Sequence, residues 1–269
     1  MRFALQSGSQ ANGGEDPPVS AGRLISLAEM RLKGVDGATF RVQQHWDLWK
    51  TLGTWVGTAN HAERWWTLLL MNDNTASPWL AARNKKRLTV WQNLAEEYRE
   101  HPLLWGVHVS TEFASPEASE EPHWKPVPSQ ILGLAKSSIK LLADLFPRQK
   151  LLITISGKES TFKFPGAASP TMKGIIDFCT QNYKGRCVFK HNARNATMPI
   201  TAGHNELLAY AVKQGHDYGF EAVSASGSRY GGTLQDGENR LKQFIAKVGR
   251  KPLYDAIYKP DLPKIGALK

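Results

Sequence analysis

Cysteine is almost absent from this chain: 269 residues hold two, Cys179 and Cys187. Two cysteines make no disulfide framework and no zinc spacing, so both are read as reduced core thiols. Long apolar runs are lacking as well. No stretch approaches the roughly 18 apolar residues of a membrane span, and the longest, Trp65–Met71, has the length of a strand. The opening residues MRFALQSGSQANGG contain no apolar run of the ~7–15 residues a signal peptide needs. The expectation is a protein of cytoplasmic origin, which reaches the outside, if at all, by lysis or within a virion. The phosphate-binding patterns GxGxxG and GxxxxGK[ST] do not occur, nor do HExxH or the nucleophile elbow GxSxG. The eight histidines make no metal pair, so neither cofactor nor metal is expected.

Tryptophan and acidic residues are unevenly withheld. All nine Trp fall between Trp46 and Trp124. The net charge of +10 comes almost wholly from residues 150–269, which carry 18 basic side chains against 9 acidic ones. Those basic residues are spread singly, apart from the aromatics. Nucleic-acid binding would need a clustered basic stripe with interleaved aromatics, so it is disfavoured. The 41% hydrophobic content supports a sizeable core.

The apolar patterning alternates strictly between strand and helix. Strands are predicted at Arg2–Gln6, Ala38–Val42, Trp65–Met71, Leu103–Val109, Leu151–Ser156, Arg186–His191, Tyr218–Ala225 and Pro252–Tyr258. Helices are predicted at Ser20–Lys33, His45–Thr58, Arg83–His101, Ser129–Leu145, Thr171–Tyr183, Gly203–Gln214 and Glu238–Val248, with Gly34 and Gly249 as stop signals. Eight strands alternating with helices imply parallel pairing through crossovers, and hence an α/β fold of the (β/α)₈ TIM barrel type. An open doubly wound sheet is the alternative. One barrel over residues 1–269 is expected, its last helix short or missing.

Active sites of such barrels lie at the C-terminal strand ends. That rule selects Arg41 and His45 after the second strand, Asn72 and Asp73 after the third, and His108 and Glu112 at the end of the fourth. It also selects Lys158 and Glu159 after the fifth, His191, Asn192 and Arg194 at the sixth, and Glu221 and Ser224 on the seventh. Glu112 is the strongest candidate. It ends HPLLWGVHVSTEF, a buried strand leading to a carboxylate beside tryptophan, where burial raises a carboxyl pKa toward general-acid use.

The stretches GATFRV (Gly37–Val42), LAEEYREHPLLWGVHVSTEF (Leu94–Phe113) and VFKHNA (Val188–Ala193) resemble the clan A glycoside hydrolases, a group of (β/α)₈ barrels. The resemblance implies that Arg41 lies under the active site and that Glu112 is the acid/base. It places His191 as the strand-six histidine and Glu221 as the nearest match to the strand-seven nucleophile. Two departures stand out. Thr111 replaces the Asn that precedes the acid/base, and Ala193 and Arg194 stand where an aromatic follows the histidine. Glu159, then Asp73, are the next partners for Glu112.

Sugar sites also need flat aromatic faces. Trp46, Trp49, Trp79, Trp105 and Trp124 fall near strand ends and the segments after them, whereas Trp65, Trp66 and Trp91 read as core. Catalytic Glu112 and Glu221 are therefore expected with substrate-binding Arg41, His45, Asp73, Trp79, Trp105, Trp124, Glu159 and His191. The expected partner is a polysaccharide or cell-surface glycan. The competing class is a non-catalytic barrel: a carbohydrate-binding or structural subunit, such as a phage tail or virion component, with virion or homo-oligomer partners. A third is an aldolase-like barrel using Lys158 or Lys190.

Overall fold

The computed structural model describes residues 2–6, 27–31, 35–42, 48–70, 85–110, 128–155, 170–191, 202–221 and 234–258. The elements alternate as the apolar pattern requires: β1 Arg2–Gln6, α1 Leu27–Met30, β2 Gly37–Val42, α2 Leu48–Ala62, β3 Trp65–Leu70, α3 Lys85–Tyr98, β4 Leu104–Ser110, α4 Pro128–Leu145, β5 Lys150–Ile155, α5 Pro170–Asn182, β6 Cys187–His191, α6 Ala202–Lys213, β7 Asp217–Glu221, α7 Leu234–Val248 and β8 Tyr254–Tyr258. Each strand pairs in parallel with the next, and β1 pairs with β8, so the sheet closes into an eight-stranded barrel. The open-sheet alternative is excluded by that last pairing. The expected end of the seventh strand at Ala225 and the tail after Tyr258 lie outside the described residues.

Strands buried on both faces carry apolar runs rather than alternation, and WWTLLL of β3 and KLLITI of β5 are buried after their first residue. Their two faces nevertheless part company in space. Phe40, Trp66, Leu68, Val107, Ile153 and Phe189 join the main core with Trp55, Trp91, Leu142 and Leu207 of the helices and Phe146 just after α4. Phe40 lies against Trp55 and Trp66, with ring centroids 5.5 and 5.4 Å apart. Trp91 meets Phe146 edge-on at 5.9 Å. The core roles expected of Trp66 and Trp91 are therefore observed, and Cys179 and Cys187 are buried free thiols.

The opposite face points into the barrel. Leu152, Val188 and Tyr254 form a separate cluster with Trp65 and Trp105. Trp65 of β3 comes within 6.4 Å of Tyr254 of β8, strands that are not sheet neighbours, so the contact crosses the lumen. One irregularity rephases β4. Trp66 pairs with Leu104 but Thr67 pairs with Gly106, leaving Trp105 as the extra residue of a β-bulge. A side chain at Gly106 would place its Cβ 2.4 Å from Leu152 Cδ1, so the Leu152 side chain would have to shift to admit it. After the bulge Val107 joins the outer core, leaving His108 to the lumen.

Helix ends follow capping rules. After α6, His216 N–H donates to Ala211 O at 3.1 Å and Gly215 N–H to Val212 O at 3.0 Å, with Gly215 at φ 89°. That is the glycine-terminated Schellman arrangement. The same turn after α2 places Glu63, not glycine, at φ 54°. On the N-terminal side of the barrel Asp217 ties Lys150 (3.2 Å) to Arg250 (2.7 Å). The Arg186 guanidinium donates to the carbonyls of Ala143, Phe146 and Gln149. Such bolts at the N-terminal face read as stability rather than catalysis.

Candidate functional site

The strand ends that form the mouth of the barrel are Gln6, Val42, Leu70, Ser110, Ile155, His191, Glu221 and Tyr258. Arg41 is the penultimate residue of β2, in register with Leu69 of β3. His191 closes β6, in register with Ile155 and Phe220. Glu221 closes the described part of β7, in register with Ala256. The backbone thus carries Arg41, His191 and Glu221 to one face. His45, Asp73, Trp79, Glu112, Trp124 and Glu159 lie outside the described residues, as do Lys158 and Ser224. In sequence Glu112 comes two residues after Ser110, the end of β4.

Trp105 is a correction. It was expected near a strand end that faces substrate, but β4 begins at Leu104, which puts Trp105 at the opposite, N-terminal end. There it packs within the lumen on Tyr254, ring centroids 5.8 Å apart and 23° from parallel, and on Trp65 at 5.1 Å. It fills the bottom of the barrel. Trp49, the one exposed large hydrophobic among the described residues, stands near the start of α2.

Between that aromatic floor and the mouth lies a polar layer that sequence reasoning did not assemble. Thr39, Thr67, His108, Thr154 and Lys190 come from five consecutive strands, β2 to β6, and all are fully buried. Barrel lumens are usually filled with bulky branched apolar side chains. The Thr67 hydroxyl donates to Thr39 Oγ1 at 3.0 Å, and the Thr39 and Tyr254 hydroxyls bond each other. His108 Nε2 lies 3.1 Å from Thr67 Oγ1. Because the one Thr67 proton is committed to Thr39, His108 is the donor through Nε2–H, and its Nδ1 carries a bare lone pair. Burial first, and then the Lys190 ammonium, hold the His108 pKa well below its ordinary value, so the ring is neutral. His108 Nδ1 and Thr154 Oγ1 have no hydrogen-bond partner among the described residues. A buried polar atom left so costs about 1–3 kcal/mol.

Two of these residues were singled out in the sequence, His108 as a strand-end residue and Lys190 as a strand lysine. The threonines had one signal, a lone polar residue within an apolar run, as at Thr67. Among the described residues no three His, Cys, Asp or Glu side chains are grouped to hold a metal ion. No described helix is long and apolar enough to cross a membrane.

Geometry of this kind defines a (β/α)₈ barrel with a polar lumen beneath its mouth. No protein-family model matches the chain, and no curated protein matches it in sequence. Solved structures do. A cellulase matches at a TM-score of 0.59 and 9% identity, over 96% of this chain and 75% of its own. A trimodular endoglucanase matches at 0.61 and 11% identity, over 96% of this chain and 55% of its own, so the chain spans about half of that protein. A D-psicose 3-epimerase from Clostridium cellulolyticum matches at 0.57 and 9% identity, over 96% of this chain and 84% of its own. At such identities what is shared is the barrel fold.

Proposed function

We propose that this barrel acts on a polysaccharide laid across its mouth, with Glu112 as general acid/base and Glu221 as the second carboxylate. One observation carries the reading: in the closed barrel β4 stops two residues short of Glu112, and the described part of β7 stops on Glu221. Glu221 thus stands at the strand-end face where (β/α)₈ enzymes do their chemistry, and Glu112 follows the β4 end of that face in sequence. Several structural neighbours are named for polysaccharide cleavage, including a cellulase and a β-mannanase from Mytilus edulis.

In the proposed reaction the Glu112 carboxylic acid protonates the glycosidic oxygen as the bond to the anomeric carbon breaks. The Glu221 carboxylate attacks that carbon to form a glycosyl ester, and water then hydrolyses it with Glu112 acting as base. This retaining course needs the carboxyl groups about 5–5.5 Å apart, and an inverting one about 6.5–9.5 Å. Arg41 and His191 support the site from β2 and β6. Trp79 and Trp124 supply stacking faces, and His45, Asp73 and Glu159 supply polar contacts from the segments after β2, β3 and β5. The test is a reducing-sugar assay over cellulose, mannan and xylan with wild type and Glu112→Gln. Wild type releases sugar and the variant loses activity at least a hundredfold, the usual worth of general acid–base catalysis at about 10²–10⁴-fold. Equal activity removes Glu112 from the mechanism.

Thr111 favours a second reading, since it stands where the resemblance implies an Asn. There the barrel binds a glycan without cleaving it, as a structural subunit such as a virion component. Wild type and Glu112→Gln would then bind one polysaccharide equally, and neither would release product.

A further inference from the structure

Basic residues that lie singly along the second half of the chain are gathered by the fold. Each helix returns to the N-terminal end of the barrel, so the turns leading into β6, β7 and β8 are neighbours there. Those turns and the helix ends before them hold Lys184 and Arg186, then Lys213, then Lys247, Arg250 and Lys251, against one acid, Asp217. Side chains link one turn to the next. Lys150 Nζ donates to Gly185 O at 2.6 Å, Lys184 Cε lies 3.4 Å from where a Cβ on Gly215 would stand, and Arg250 reaches Asp217 at 2.7 Å. The cations therefore form one patch.

Helix dipoles do not account for it. They favour a cation in the last turn of any helix, yet α3 and α4 have none there. On the other side of the same face the turn into β3 holds Glu63 and Arg64, and the turn into β4 holds Arg99 and Glu100, so charge balances there. Within the patch the guanidinium groups are spent inside the protein, Arg186 on three carbonyls and Arg250 on Asp217. Lys184, Lys213, Lys247 and Lys251 are exposed, with no ion-pair partner among the described residues.

The chemistry of the patch selects its partner. An ammonium is a hydrated point charge that attracts anions without fixing their geometry, whereas bidentate phosphate recognition needs a guanidinium fork. The three turns have four, three and five residues between helix and strand, so none projects far enough to enter a nucleic-acid groove. Tyr183, the only Phe, Tyr or Trp in them, is half-buried against Phe178 and offers no stacking platform for single strands. No large hydrophobic is exposed among the described residues of this face. We propose that the face docks on an anionic lipid bilayer, held by charge without insertion, with the mouth at the opposite end pointing away. The proposal is independent of what the mouth binds.

Co-sedimentation of the full chain with vesicles is the test. One set is pure phosphatidylcholine, and the other contains about one-third phosphatidylserine. Wild type binds only the anionic set, and is released as salt rises from about 0.05 to about 0.5 M. Lys184→Ala and Lys251→Ala, with unfolding midpoints like wild type, each weaken binding about fivefold, and together about twenty-fivefold. Lys85→Ala, at the start of α3 and so at the mouth end, does not weaken it. Failure to bind anionic vesicles overturns the proposal, as does equal binding to both sets. An equal loss from Lys85→Ala overturns it too, since net charge rather than this face would then act. Tighter binding to duplex DNA than to the vesicles at the same salt makes the face a nucleic-acid surface and overturns the lipid assignment.

Discussion

Acid is expected to destabilise this protein through one buried ring. A free imidazole titrates near 6.5, but His108 is held well below that by burial and then by Lys190. As pH falls through 6.5 the unfolded chain takes up a proton that the folded chain refuses. Stability is therefore undiminished above 6.5 and is lost progressively below it, until the pH reaches the depressed folded value. One such proton is worth about 1.4 kcal/mol per pH unit, and integration from pH 7.5 to 5.5 gives a total of about 1.4 kcal/mol. His101 and His216 are also lowered by burial, so the whole protein loses more than this. His108→Gln isolates the share. The amide keeps a donor toward Thr67 and does not titrate. Urea unfolding of both proteins at both pH values should show wild type losing about 1.4 kcal/mol more than the variant. With a slope near 3 kcal/mol per molar, that is about half a molar in midpoint. Equal losses would mean that His108 takes its proton inside the barrel, and the bare Nδ1 would not exist.

Three further outcomes follow from local geometry. Gly219→Ala would set a Cβ 2.6 Å from the Tyr254 carbonyl oxygen, a contact between two paired strands that cannot relax, and thermal unfolding should show a loss of about 1–3 kcal/mol. Glu63→Gly should raise stability by about 1 kcal/mol, because φ 54° is a conformation that strains any residue with a Cβ. Cys179 and Cys187 should resist iodoacetamide in the native protein and react on unfolding, since both are buried and the Cys179 thiol is pushed well up by its hydrogen bond to Cys187 and by burial.

The barrel was legible because parallel strands covered on both faces leave unbroken apolar runs, as in Trp65–Leu70 and Lys150–Ile155, and glycine marks where helices stop. The same property hid the lumen. When both faces are apolar, alternation disappears, and nothing local says that Thr39 pairs with Thr67 or Thr154 with Lys190. Their alignment is a fact of register. The bulge at Trp105 added to this, for it moved His108 inward. Glu221 was expected early in a strand running to Ala225, whereas β7 starts at Asp217 and its described part ends on Glu221.

The central claim is that Glu112 and a second carboxylate face one sugar chain across the mouth. A crystal structure of Glu112→Gln soaked with the oligosaccharide that wild type cleaves measures it directly. The account predicts a glycosidic oxygen within hydrogen-bond reach of residue 112, with the Glu221 carboxyl about 5–9.5 Å from it. An oligosaccharide bound away from the strand ends, or no carboxylate within about 10 Å of residue 112, contradicts it.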